Sequence, residues 1–166
     1  MANNQQSHSQ ESDSQQSHGQ QSHSQQSIQI LITHIENHAF GINLANIRDI
    51  LFDQMITPIP LSKPDVMGAI NLRGNIVTVI NMRKRLGLPD FPKDYRKTHV
   101  IIEYKEELFD LALDKVGEVI TLDQNLVQPT PIIVDAAWQK LMNGIVKQKD
   151  SVLSLLNTDP IVSLMF

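Results

Sequence analysis

Cysteine is absent from the 166 residues. That excludes disulfides, thiolate catalysis, and zinc or iron–sulfur centres held by cysteine. It also fits a reducing compartment. No apolar run approaches the ~20 residues that a membrane helix needs. The N-terminus has neither the basic nor the apolar region of a secretory signal. Basic charge is in short supply: Lys and Arg number 14 against 18 Asp and Glu, for a net charge of −4. This balance argues against a nucleic-acid binder that works by phosphate neutralisation. A soluble, cytoplasmic protein is the expectation, with no membrane contact of its own.

Catalytic patterns are missing as well. There is no Gly-rich phosphate loop, no Gly-x-Ser-x-Gly elbow and no His-Glu-x-x-His. Outside the first 27 residues the histidines are His34, His38 and His99. The first two flank a turn and are expected at the surface, and His99 opens a strand. Glu103, Asp110, Asp114 and Glu118 are spread over strands and turns, where they read as a solvated sheet face. No catalytic residue, metal ligand or cofactor is therefore assigned, and the chain is read as a binding protein.

What is present divides at residue 28. Residues 1–27 are almost wholly Gln, Ser, His and Asn, with a loose repeat of Gln-Gln-Ser-His at Gln5–His8 and Gln15–His18. Such a segment cannot bury enough apolar surface to offset its ordering entropy, so a disordered tail is expected. Weak metal binding by His8, His18 and His23 is the alternative use for it. Beyond it the chain reads as nine or ten short strands. Ile28–Ile35 and Ala39–Ile42 form a hairpin, and Asn43 caps a single helical turn before the Ile47–Phe52 strand. His99–Tyr104, Leu108–Leu113 and Val116–Leu122 read as an antiparallel meander. Asp135–Met142 is a helix ended by Gly144. Gly144–Lys149 and Ser151–Asn157 form the last hairpin. The pattern points to barrels or a sandwich.

The most informative stretch is Val66–Pro89. Gly74-Asn75 signals a tight turn between two strands, because both residue types tolerate positive φ. Ile76–Ile80 is β-branched throughout and suits a strand buried on both faces. Asn81 caps a short helix that Gly87 ends. Arg73 stands at the tip of the hairpin, a planar charged fork suited to a carboxylate or a docking partner. Val66 and Met67 read as core or as the floor of a binding groove. Arg83-Lys84-Arg85 reads as a solvated basic face or a dock for an acidic partner.

The run Gly68-Ala69-Ile70-Asn71-Leu72-Arg73-Gly74-Asn75-Ile76-Val77, followed by Asn81-Met82-Arg83 and Leu86-Gly87-Leu88, resembles the signature of the CheW-like domain. Phe40-Gly41-Ile42, Thr57-Pro58-Ile59-Pro60 and Leu111–Val119 extend the resemblance over roughly residues 28–166. It implies an all-β fold of two packed, five-stranded SH3-like barrels with one or two short helices. It also implies a non-enzymatic adaptor that couples methyl-accepting chemoreceptors to a CheA-type histidine kinase in chemotaxis. A twitching-motility or other chemosensory-like pathway is the alternative within the family. The receptor-facing groove would lie between the barrels. The implied partner-binding residues are Arg73 with Asn71 and Gly74 beside it, and Asp49, which stands where relatives carry a glutamate that pairs with the arginine. Arg48, Val66 and Met67 complete the expected surface, with Arg48 free to take a carboxylate of the partner. Two departures stand out. Asp110 replaces a usual glycine and suggests an exposed strand face, and Thr158-Asp159-Pro160 breaks the closing pattern. The chain ends at Phe166, with no receiver domain expected.

Overall fold

The computed structural model describes residues 26–132 and 135–163. Most of the segment read as a tail, with its three histidines, lies outside the described residues. The first strand begins one residue earlier than expected, since Ser27 already pairs with Asp123. The strands are β1 (Ser27–Ile35), β2 (His38–Asn43), β3 (Ile47–Phe52), β4 (Val66–Leu72), β5 (Asn75–Asn81), β6 (Thr98–Tyr104), β7 (Glu107–Leu113), β8 (Lys115–Asp123), β9 (Met142–Lys147) and β10 (Val152–Leu156). Short helices accompany them: α1 (Met82–Arg85), α2 (Ala136–Leu141) and α3 (Thr158–Ser163).

The strands form two five-stranded sheets, ordered β8-β1-β2-β10-β9 and β3-β6-β7-β5-β4. The first holds the strands nearest both chain ends and is called the terminal lobe; the second is the central lobe. Shifting each strand of the central sheet five places along the chain, wrapping at ten, reproduces the order of the terminal sheet. Each lobe thus has an antiparallel hairpin (β1-β2, β6-β7) joined in parallel to a second hairpin. The central sheet is the contiguous run β3–β7, and the terminal sheet takes the strands on either side of it. β3 follows β2 but pairs with β6, and β8 follows β7 but pairs with β1.

The crossing after β7 corrects the expected three-strand meander. β6 and β7 do pair, but β8 leaves them for the terminal lobe. The alternation of β8 shows that one of its faces is buried and says nothing about which sheet buries it.

Side-chain alternation on these strands builds three apolar layers. Ile70, Val77, Val79, Ile101 and Ala112 fill the central barrel. Ile30, Val146, Leu153 and Leu155 fill the terminal one. The opposite faces of the same strands send Leu31, Ile35, Phe40 and Ile42 against Val100, Ile102, Phe109 and Leu111 between the lobes. Each fully buried Leu, Ile or Phe contributes about 1.5–3 kcal/mol, so this shared layer holds the lobes as one body. Strands β6 and β7 are buried on both faces. β5 is not: Ile76 is 82% exposed, contrary to the doubly buried reading of that run.

Asx caps sit where the sequence puts them. Asn43, Asn81 and Asp135 accept backbone N–H groups of Ala45, Lys84 and Ala137. The helix-stop reading of Gly144 fails. α2 runs straight into β9, and Gly144 lies within that strand at φ +148. A Cβ there would come within 2.6 Å of the Gln128 oxygen, where Gln128 and Ile145 exchange hydrogen bonds of 2.8 Å that close the terminal barrel. Gly68, at φ +146, does the same beside the Thr57–Ala69 bridge of the central barrel. Glycine is required at both places for one reason, the close approach of two backbones.

Gly68→Ala and Gly144→Ala should each lose about 1–3 kcal/mol in urea unfolding, since neither backbone can give way to a methyl group. Gly74→Ala has open space around its Cβ and should lose only about 1 kcal/mol, from its φ of +91 alone.

Candidate functional site

The β4–β5 hairpin turns at Arg73-Gly74, not at Gly74-Asn75. Leu72 pairs with Asn75, and φ is +52 at Arg73 and +91 at Gly74. Two positive φ values in a two-residue loop match the right-handed twist of the strands. The Asn71 side chain makes this bearable for a non-glycine residue by accepting the Gly74 N–H at 2.9 Å. Asn71 is thus a support for the turn, and its role follows from geometry rather than exposure.

Arg73 is held out at this tip with its side chain 84% exposed. Asp49 lies 3.5 Å from its guanidinium. The two residues stand on opposite edge strands of the central sheet, and they meet because the sheet curls and the Thr57–Ala69 bridge closes it. An exposed pair of this kind contributes only about 0–1 kcal/mol. Its effect is to aim the fork. Exposed Ile76 sits beside it on β5, so the hairpin presents a cation next to an apolar side chain.

Arg48 points elsewhere. Its Nε donates to Glu103 at 2.6 Å and its Nη1 to the Ala45 carbonyl at 3.2 Å. The expectation that it is free for a partner carboxylate is corrected: Glu103 on the neighbouring β6 already occupies it. Met67 is half-buried against the central barrel filling, which favours its core reading, and Val66 is half-buried at the start of β4.

The basic triplet on α1 is not a free basic face. Arg83 makes a two-pronged ion pair with Asp114, Lys84 meets Asp90 at 2.7 Å, and Arg85 meets Asp65 at 3.0 Å. Each cation lies over a carboxylate from elsewhere in the chain, which three consecutive letters could not reveal. Burial lowers the pKa of Arg85, and Asp65 opposes that.

Two carboxylates read as solvated are buried. Asp114 accepts the Glu36 N–H at 2.9 Å as well as the Arg83 fork. Burial pushes its carboxyl up, but hydrogen bonds from Arg83, Glu36 and Tyr95 outweigh it and hold the pKa below the ordinary 3.8. Asp110 is fully buried inside the central barrel, 2.6 Å from His99 Nδ1. Its place on β7 faces inward with Ala112, so the exposed-face reading of this departure is wrong. His99, expected to open a strand, is its second residue and is buried. His34 is half-buried rather than at the surface, whereas His38 is exposed and meets Trp138 edge-on at 4.9 Å. Among the described residues no three His, Asp or Glu gather to hold a metal. No described helix is long and apolar enough to cross a membrane.

The family model of the CheW-like domain matches residues 29–165. The chemotaxis protein CheW of Thermotoga maritima is 29% identical over 134 residues, covering 81% of this chain and 87% of that protein. Its counterpart in Treponema pallidum is 26% identical over 139 residues, covering 81% of this chain and 82% of the relative. Among solved structures, the scaffolding protein TtCheW from Thermoanaerobacter tengcongensis superposes with a TM-score of 0.72 at 28% identity, covering 80% of this chain and 90% of that one.

Asp114→Asn should cost about 3–5 kcal/mol, because it strands the buried Arg83 cation. The wild-type pair also carries an acid dependence. A carboxyl held below its unfolded value gives stability that is full above that value and lost as pH falls through the native one. Urea unfolding below about pH 4 should therefore show a falling limb in the wild type, and Asp114→Asn should remove its share of it.

Proposed function

The chain belongs to the CheW-like domain family, and from that premise we propose that it is a non-enzymatic scaffold of chemotaxis signalling, working in the cytoplasm to couple methyl-accepting chemoreceptors to a CheA-type histidine kinase. The observation that carries this reading is Arg73: a charged fork held out on a two-residue turn, aimed by Asp49 and flanked by exposed Ile76. Two of the buried charged groups are held by partners inside the protein. His99 is bound to Asp110, and Arg83 to Asp114.

A scaffold needs faces that keep a fixed relation to one another. The shared apolar layer and the two chain crossings supply that rigidity, so a contact made by one lobe is transmitted to the other as position. Ile47 and Ile50 on β3, with Val116 on β8, are half-buried beside this layer. They suit the groove between lobes that would take an apolar helix of a receptor. The Arg73 hairpin on the central barrel suits the kinase contact, where a fixed guanidinium pairs a carboxylate in two-pronged fashion.

Purified full-length chain on beads should recover a histidine kinase and chemoreceptors from cytoplasmic lysate. Arg73→Glu should lose the kinase while its urea midpoint stays within about 0.5 kcal/mol of wild type, since the residue is solvated and its pair weak. Undiminished capture by that variant, or its unfolding, would overturn the assignment.

A further inference from the structure

The His99–Asp110 pair belongs to no binding surface, yet it is the one buried ion-pairing contact on the inward face of the central barrel's strands among the described residues. His99 shares the inward face of β6 with Ile101, and Asp110 that of β7 with Ala112. The two side chains are 2% and 0% exposed. A nitrogen and an oxygen 2.6 Å apart need a hydrogen between them, which the N–H of a neutral imidazole facing a carboxylate can supply; one proton beyond that state makes the pair neutral. The other carboxylate oxygen, Oδ1, has no hydrogen-bond partner.

The surroundings fix what that proton is worth. Across the strands, His99 faces Leu51 of β3 and Ala112 of β7, and Asp110 faces Ile101 of β6 and Val79 of β5. None of these carries charge. Asp49, further along β3, is taken by Arg73. Other charges approach only from a cleft of about 320 Å³ beside His99, lined by Asp53, Gln54, Asp94, Tyr95, Arg96 and Lys97. There Asp53 and Arg96 lie 3.7 Å apart, and Lys97 sits over the Phe91 ring while donating to the Tyr95 carbonyl. With one proton the pair is neutral overall. With none, a net negative charge stands in an apolar barrel with half its acceptor capacity unmet. With two, the pair carries a net positive charge in the same apolar surroundings.

We propose that His99 and Asp110 form a one-proton latch that ties the packing of the central barrel, and through β5 the position of the Arg73 hairpin, to pH. The path is short. Asp110 pairs in register with Val79 of β5, and β5 turns directly into the Arg73-Gly74 loop. The latch stands on the barrel geometry alone; only the value of moving the hairpin rests on the scaffold reading.

The direction follows from the carboxyl. Burial raises the Asp110 pKa, against the opposing hydrogen bond and charge of His99. A raised carboxyl means the native chain keeps a proton that the unfolded chain has released. That stability is lost as pH rises through the native value.

Thermal unfolding of the full chain between about pH 5 and 9 should show a midpoint that falls with pH. Asp110→Asn, which keeps the shape and removes the titration, should flatten the fall by about 3 °C for each tenfold by which folding tightens the pair's hold on its proton. Parallel curves for the two proteins would overturn the latch. Should the variant fail to fold, nitrogen-15 spectra of the wild type decide instead. The amides of Val79, Ala112 and Gly74 should shift together as pH rises. Amides that stay still over the range in which the midpoint falls would overturn it. Neither readout involves a partner, so failure of the Arg73 reading leaves both unaffected.

Discussion

Asp114 is where the chain leaves the central sheet for the terminal one, and groups from both lobes hold its carboxylate. Arg83 reaches it from α1, at the end of β5, and the Glu36 N–H reaches it from the β1–β2 turn. Its own N–H donates to the His34 carbonyl of β1, while its carbonyl accepts the Thr98 hydroxyl of β6. Phe91 and Tyr95 stack over the Arg83 guanidinium at 5.0 and 5.6 Å, so the pair is covered on its loop side. A buried ion pair adds little compared with a well-packed apolar substitute, but breaking one is costly. Its consequence here is positional. The chain can cross between lobes at this residue only with Arg83, Glu36 and His34 all in place.

That crossing is one of two, and together they explain why neither lobe is an independent barrel. The central sheet is the contiguous run β3–β7, inserted between β2 and β8 of the terminal sheet. Opening the lobes would expose the shared apolar layer and pull on both crossings. The helices reinforce the seam. The Trp138 indole of α2 donates to the Leu86 carbonyl after α1, and Asn157, ahead of α3, donates to the Leu141 carbonyl of α2. A protein whose task is to hold partners at fixed relative positions gains from such a construction.

The local structure was legible in the sequence because alternation and caps are local signals. The strand Ile47–Phe52, the caps Asn43, Asn81 and Asp135, and the left-handed Gly87 at φ +70 could all be read from neighbouring residues. What failed was anything set by a distant strand. A β-branched run does not say which face is covered, so the exposure of Ile76 was not legible. Asp110 and Asp114 carry the same letter as solvated carboxylates and differ only in what packs over them. Gly144 resembles a helix stop because the Gln128 backbone that demands a glycine lies 16 residues away. The Thr158-Asp159-Pro160 break became α3, since proline in a first helical turn forfeits no intrahelical bond. The Arg73–Asp49 pairing was legible through family resemblance, and the turn that carries it was legible to within one residue.

The two arginine–aspartate pairs of this protein share a chemistry and differ in consequence. Arg83–Asp114 is enclosed and tied to the backbones of two strands, so removing either partner leaves a charge without solvent or counter-ion. Arg73–Asp49 is open to water, and solvent would replace either partner at almost no cost to folding. Stability therefore gives no reason for Arg73 to occupy a turn position at φ +52, where glycine or asparagine would fit with less strain. The fold thus does not account for this side chain, which is placed against backbone preference and aimed outward by a carboxylate. The same comparison separates His99–Asp110 from both. It is enclosed like the first pair but lacks a permanently charged partner, so its net charge is set by protons rather than by sequence.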